Sequence, residues 1–290
     1  LMSTKCASFL QSSEWYESLG RVVSSQGAEK VEALFDAISV LLTADEVMLF
    51  YFKPDLGPDI IVHRTDNAKR TRQIHDYKRG FYLTDPFYLA LERTEQSGVM
   101  SLGELVEDDS FEKSEFYRYH YRATELVDEV CYCMSHGSGG HLLLSFARSH
   151  HVGRYSSEDI VAARLIVPLV VAVLTASADY LVDPASISPA TTDEINFHRN
   201  LKRARSNFGR SVLTDREYEV VQLLLRGYPI DVISERLEMA KGTTAVHRRN
   251  IYRKLDISCQ AELFTLFIDV IEEVSIDIDS DPLSLYLQPL

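Results

Sequence analysis

Between Lys241 and Lys254 the chain carries Lys241, Arg248, Arg249, Arg253 and Lys254 without an acidic residue, and Thr243, Thr244 and His247 stand among them. On a helix this spacing leaves one apolar edge, Val246, Ile251 and Leu255, and a basic remainder. Small polar side chains at the start of such a helix suit base edges in the major groove of duplex DNA, and the cations behind them suit phosphates. Lys241, Thr243, Thr244, His247 and Arg248 are the candidates for base or phosphate contact, with Arg249, Arg253 and Lys254 on the backbone. Thr243 has an alternative role as the cap of its own helix.

A second group lies in the first half, where aromatic residues crowd around acids. The candidate ligand-binding residues are Tyr77, Phe81, Tyr82, Asp85, Phe87, Phe116, Tyr117, Tyr121, Asp128, Glu129 and Tyr132. Aromatic faces attract cations and carboxylates neutralise them, so a small amine or an aromatic metabolite fits this composition. The same residues also read as ordinary core. Asp85 then caps a helix, and Asp128 and Glu129 point to opposite faces of a strand with at most one inward.

Other chemistry finds no support. Cys6, Cys131, Cys133 and Cys259 lack a Cys-x-x-Cys or a paired His that would complete a zinc site, and His136, His141, His150 and His151 match no metal spacing. Gly137-Ser138-Gly139-Gly140 joins two strands instead of opening a helix and lacks the Lys-Ser/Thr of a phosphate loop. No Gly-x-Ser-x-Gly elbow occurs. No catalytic residue, cofactor or metal is expected, and the chain does not read as an enzyme.

The basic helix needs a scaffold, and residues 213–263 supply one. Thr214 followed by Glu217 is a capping-box spacing ahead of Val220, Val221, Leu223, Leu224 and Leu225, and Gly227 and Pro229 end that helix. A second helix is expected at 231–237, a break at 238–242, the basic helix from Thr243 or Thr244, and a fourth helix at 257–267. Two short helices joined by a tight turn form a helix-turn-helix. The segment resembles the C-terminal DNA-binding domain of LuxR-type bacterial transcriptional regulators. The residues that carry the likeness are Leu213-Thr214-x-Arg216-Glu217-x-Glu219-Val220, Gly227, Ile233, Leu237, Thr243, Val246 through Leu255, and Ala261-Glu262-Leu263. Three positions depart from the pattern. Glu238 stands in the turn where Gly is usual, at a cost of roughly 1 kcal/mol if the turn is left-handed, and Ala240 and Thr244 stand where Ser and Val are common.

The first half alternates differently. Residues 29–43 carry Val31, Leu34, Phe35, Ile38, Leu41 and Leu42 at helical spacing, and strands at 46–53 and 59–64 flank turn residues as a hairpin. Helices are expected at 68–80, from Asp85-Pro86 and at 110–121, strands at 126–136 and 141–148, and one long helix at 157–180. Hairpins exclude a phosphoacceptor receiver fold and imply an α+β sensor domain, a central antiparallel sheet with flanking helices, joined to an all-α four-helix domain. This half resembles GAF-like or PAS-like sensor domains attached to some LuxR-type regulators, on Asp85-Pro86-Phe87, residues 98–102, 116–121 and 126–130. An Asp-Pro pair after a Tyr also occurs in acyl-homoserine-lactone receptors, which add tryptophans around the ligand; Trp15 is the sole Trp here.

The whole chain is acidic, with 30 Lys and Arg against 43 Asp and Glu, a net charge of -13. Residues 200–270 hold 12 Lys and Arg and 9 Asp and Glu, net +3, which leaves -16 elsewhere. The acidic remainder repels nonspecific DNA and favours docking through the basic end. The cysteine pattern suits a reducing cytoplasm, residues 1–19 are too polar for a secretory signal, and Arg164 and Pro168 within the apolar run 160–178 favour a buried helix over a membrane span. The expected domains are a sensing and dimerisation domain at 1–182, a Pro/Ser/Thr-rich linker at 183–206 with a short helix at 193–205, the helix-turn-helix domain at 207–270, and an acidic tail at 271–290, disordered by default, with docking of its apolar end on either domain as the alternative. The expected function is a cytoplasmic homodimeric regulator that binds a pseudo-palindromic double-stranded DNA operator under control of a small-molecule effector, with RNA polymerase as a further candidate partner. A ligand-independent dimeric regulator or interaction protein, and a lactone quorum-sensing receptor, are the alternatives.

Overall fold

The computed structural model describes residues 9–53, 56–65, 70–91, 97–106, 111–112, 114, 116–137, 140–182, 201, 204–273 and 280–287. The first domain opens with α1 (Ser13–Ser24), in which the Ser12 hydroxyl accepts the Trp15 N–H, and α2 (Gly27–Leu42). Five antiparallel strands follow: β1 (Glu46–Phe52), β2 (Pro58–Arg64), β3 (Gly98–Ser101), β4 (Leu126–His136) and β5 (Gly140–Ser149), in sheet order β2-β1-β5-β4-β3.

Because side chains alternate along a strand, this sheet makes two cores. Val47, Leu49, Val130, Tyr132, Leu144 and Phe146 face one side, where α2, α6 (Ser157–Leu165) and α7 (Val167–Leu181) cover them. Met48, Phe50, Phe52, Cys131, Cys133 and Leu143 face the other. There they meet α3 (Arg70–Lys78), the tight turn Phe81–Thr84, α4 (Pro86–Leu91), α5 (Leu102–Leu105) and the wide helical turn Tyr117–Tyr121. The helix expected over 110–121 is thus reduced to its last turn among the described residues.

The single long helix expected at 157–180 is two helices, bent by 50° at Ile166. Pro168 sits in the first turn of α7 and cannot donate a backbone N–H to α6, so the break falls just before it. Among the described residues no single helix is long and apolar enough to cross a membrane. The buried Arg148 pins the start of α6. Its guanidinium donates to the Leu42 carbonyl (2.8 Å), to the Arg154 carbonyl (3.1 Å) and to Asp159 (3.0 Å), and stacks 3.9 Å from the Tyr155 ring centroid.

The C-terminal domain contains α8 (Asp215–Leu224), α9 (Ile230–Arg236), α10 (Lys241–Leu255) and α11 (Gln260–Glu273). The Thr214 N–H donates to the Glu217 carboxylate (3.0 Å), the expected capping box. Part of the tail docks on the second domain, the alternative to its default. In α12 (Pro282–Tyr286) Leu283 is fully buried, and the preceding Asp281 accepts the N–H groups of Gly209 (2.9 Å) and Ser211 (2.8 Å). The linker and its expected helix lie outside the described residues apart from Leu201 and residues 204–206.

The two domains touch along residues 80–84. Phe81 packs against Phe264 of α11, Gly80 lies under Leu201 and Ile268, and Thr84 meets Gly227.

Candidate functional site

On α10 the helical period fixes which residues can reach a partner. Thr244, Ile251 and Leu255 are buried on one side, while Val246, Arg249 and Arg253 are exposed on the other. Thr244 has 0% exposure and shares a 2.9 Å hydrogen bond with Ser234 of α9, so it packs the two helices together instead of reaching a base as expected. Val246, expected inward, is 47% exposed in the middle of the outward face. An apolar side chain there suits the methyl group of thymine. Counting back seven residues from Ile251 lands on Thr244, so the phase was available in the sequence.

The helix begins at Lys241 with Ala240 as its cap residue, which leaves Thr243 exposed in the first turn and free of a capping role. Lys241 pairs with Asp231 at 3.2 Å. Arg248 lies 5.9 Å from the Tyr252 ring centroid and lines a groove with Arg249, Arg253 and Arg118 of the first domain. His247 is half-buried beside this face. Lys254 has a different task from the backbone contact expected of it. Its ammonium donates to Glu217 (2.6 Å), a buried carboxylate at the start of α8. Burial pushes the Glu217 pKa up, but the hydrogen bonds from Lys254 and Thr214 outweigh burial and hold it below the usual carboxylate range. Glu238 has φ +51°, so the turn before α10 is left-handed and carries the strain expected of a non-glycine residue.

The acids of the first domain divide by strand parity. Glu129 points with Cys131 into the aromatic side of the sheet, where it accepts from the Tyr121 hydroxyl (2.6 Å), the Ser145 hydroxyl and the Cys131 thiol (3.5 Å). Asp85 accepts from the Tyr77 hydroxyl (2.5 Å) and from the Phe87 N–H (2.8 Å), so it both starts α4 and enters the cluster. Burial first, then the negative charge of Glu129, raises the Asp85 pKa to about 7. Tyr77 and Tyr121 are raised well above the usual phenol range by burial and then by these carboxylates. Burial and Glu129 likewise push the Cys131 thiol up, which keeps it protonated and poorly nucleophilic. Tyr82 and Tyr88 stand perpendicular at 4.8 Å between centroids, with Phe52 5.2 Å from Tyr88 and Phe50 5.5 Å from Tyr77.

Tyr77, Tyr82, Asp85, Phe87, Phe116, Tyr121 and Glu129 therefore share one buried side of the sheet. Tyr117 is half-buried and stacks on Tyr121, 6.0 Å between centroids. Two expected members are elsewhere and a third lies at the margin. Tyr132 is on the opposite face, donating to the Ala163 carbonyl (3.2 Å). Asp128 follows a register shift in β4 and accepts the Tyr155 N–H (2.9 Å). Phe81 sits at the edge of the group, stacked on Phe116 at 5.6 Å on one side and packed against Phe264 of the second domain on the other. Trp15 also belongs to the opposite core. Ser145 was missed; it pairs in register with Cys131, and it is the one hydroxyl in the run Leu142 to Ala147.

A four-helix unit presenting a basic helix, attached to an α+β domain with a buried polar cluster, defines a two-domain helix-turn-helix regulator. Residues 211–267 match the family described as bacterial regulatory proteins, luxR family. Residues 211–267 therefore form a LuxR-family helix-turn-helix domain, the DNA-binding unit of a transcriptional regulator. An HTH-type transcriptional regulator named from the exeN 3' region of Aeromonas salmonicida is 29% identical over 186 residues, which span 64% of this chain and 93% of that one. The LBD domain of VqsR from Pseudomonas aeruginosa is 25% identical with a TM-score of 0.51, over 58% of this chain and 99% of that domain, and supports the fold of the first half. SdiA from Escherichia coli aligns at 18% identity with a TM-score of 0.43, over 87% of this chain and 94% of that one.

Proposed function

We propose that this regulator reads a specific operator through the outward face of α10 under control of a small protonated amine held between Asp85 and Glu129. The observation that carries the ligand class is the placement of these two carboxylates, buried together among tyrosines and electrostatically coupled. A cation between them turns their repulsion into attraction, and the Tyr82 and Tyr88 rings add cation–π stabilisation. An uncharged lactone or alcohol offers hydrogen bonds but leaves the repulsion in place.

The base-contact candidates on α10 become Thr243, Val246, His247 and Arg249, with Arg248 and Arg253 toward phosphates. Two copies bind successive major grooves when their α10 helices stand about 34 Å apart. Val161 and Leu165, exposed one helical turn apart on α6, supply an apolar strip for subunit pairing. The division at residues 182 and 207 lets the effector bias how the second domain is held, provided its affinity differs between the two arrangements.

Calorimetric titration of the full chain with tyramine, and with the alcohol that replaces its amine by hydroxyl, tests the ligand class. The amine is expected to bind at pH 6 with release of a proton, and Asp85→Asn and Glu129→Gln are each expected to weaken it at least tenfold. Equal binding of the alcohol, or an undiminished affinity in both variants, would rule the amine reading out.

A further inference from the structure

The two domains line a cavity of about 420 Å³ that borders the aromatic group at Phe116 but is lined by neither Asp85 nor Glu129 nor any residue of α10. That volume is in the range of small-molecule pockets. One wall comes from the first domain, with Leu89 of α4, Val106 and Phe111; the other comes from Tyr228, Pro229 and Val232 around the start of α9. Arg226 and Arg236 also line it, and both are exposed to solvent. The Arg236 guanidinium stacks 4.3 Å from the Tyr228 ring centroid, which fixes its position at the wall. Glu235 supplies one opposing carboxylate, so these rim side chains carry a net positive charge. The domains meet tightly beside the cavity. Gly227 has φ +78°, and a Cβ there would lie 3.2 Å from the Thr84 Cβ.

We propose that this interdomain cavity is a second effector site, which takes a small amphiphile with an anionic head. The apolar walls favour a hydrocarbon or aromatic body, and the two guanidinium groups favour a carboxylate or sulfonate at its end. Because each domain supplies one wall, the occupant has full contact only when the domains are docked, and its binding stabilises that arrangement by differential affinity. The anionic head also separates this site chemically from the carboxylate cluster, which repels anions.

The test uses the full chain with 8-anilinonaphthalene-1-sulfonate as a fluorescent probe, sodium decanoate as competitor and decanol as the uncharged control. The expected result is one saturable probe molecule per chain, displaced by decanoate at least tenfold more effectively than by decanol. Val232→Trp fills the cavity from the second domain and Leu89→Trp fills it from the first; each is expected to abolish the saturable signal while the far-ultraviolet dichroism stays that of the parent. Arg226→Gln with Arg236→Gln is expected to raise the probe Kd at least tenfold. Probe binding that survives in whichever filled variant remains folded, or decanol competing as well as decanoate, would overturn the proposal.

Discussion

Phe81 stands edge-on to Phe264, with ring centroids 5.2 Å apart and planes at 88°. Phe81 also stacks on Phe116 at 5.6 Å, and four residues later the chain reaches Asp85. One short segment therefore carries both the ridge that docks the helix-turn-helix domain and the carboxylate of the proposed effector site. A movement of Asp85 toward the proposed ligand would have only four residues of tight turn to cross before reaching the domain contact.

Gly80 tests that contact directly. Its φ is +135°, and a Cβ built there lies 2.7 Å from Ile268 Cδ1 and 3.2 Å from Leu201 Cδ2. The tip of Ile268 can rotate aside, but the backbone conformation disfavours any side chain by about 1–3 kcal/mol. A single calorimetric unfolding transition is expected for the parent, and Gly80→Ala is expected to loosen the domains and split it into two. A single transition at the parent Tm would show that residues 80–84 do not hold the domains together.

Arg253 and Lys254 are adjacent cations with different expected phenotypes. Arg253 is exposed on the outward face, so Arg253→Gln should flatten the plot of log Kd against log salt by about one unit. Lys254→Gln should leave that slope within experimental error and instead cost about 1–2 kcal/mol of stability, because Glu217 loses its partner and solvent screens only part of the pair. Salt titration of DNA binding and urea unfolding of the same two variants separate the roles. A slope change for Lys254→Gln equal to that of Arg253→Gln would restore Lys254 to the DNA face.

Much of the second domain was legible because its signals are local. Thr214 and Glu217 three residues apart specify a helix start whatever surrounds them. The basic helix is legible from its charge, but it starts at Lys241, ahead of the Thr243 or Thr244 that the break at 238–242 suggests, and its phase puts Thr244 inward and Val246 outward, the reverse of the expectation. Tyr132 was legible too, since strand parity separates it from Glu129, yet grouping aromatic residues by composition ignored that parity. Asp128 was legible in part: the same parity sets it opposite Glu129, but its bond to the Tyr155 N–H, 27 residues on, has no local signal. The register shift between Leu126 and Asp128 depends on the partner strand and is not encoded locally either. The docking of Asp281 on Gly209 and Ser211 joins residues some seventy positions apart, and no local pattern encodes it.

Val246 and Thr244 separate reading from packing. Val246→Ala is expected to relax the selected motif at one position in each half-site while leaving the salt slope unchanged, since a methyl contact carries base information and no charge. Thr244→Ala should instead cost roughly 1–2 kcal/mol in unfolding, through lost packing and the lost hydrogen bond with Ser234, with the selected motif preserved. Selection from random duplexes with each variant supplies the comparison. A motif altered by Thr244→Ala and untouched by Val246→Ala would reverse the phase assigned to α10.

Asp85 sets a pH dependence whose sign follows from its surroundings. Its pKa in the folded chain is about 7, raised by burial and by Glu129, whereas an unfolded Asp titrates near 3.9. Between these values the native state holds a proton that the unfolded chain has released, so stability falls as pH rises. The Asp85 contribution is fully present below about pH 4 and is lost as pH rises through about 7. The Tm of the ligand-free chain is therefore expected to decline from pH 5 to pH 7.5, and Asp85→Asn should flatten that decline, because an amide has no proton to lose. Other groups contribute to the absolute slope, but the difference between the two proteins isolates Asp85. An identical slope in both, or a steeper fall in the variant, would mean that Asp85 is ionised throughout this range, and the proton release expected on amine binding at pH 6 would then be absent as well.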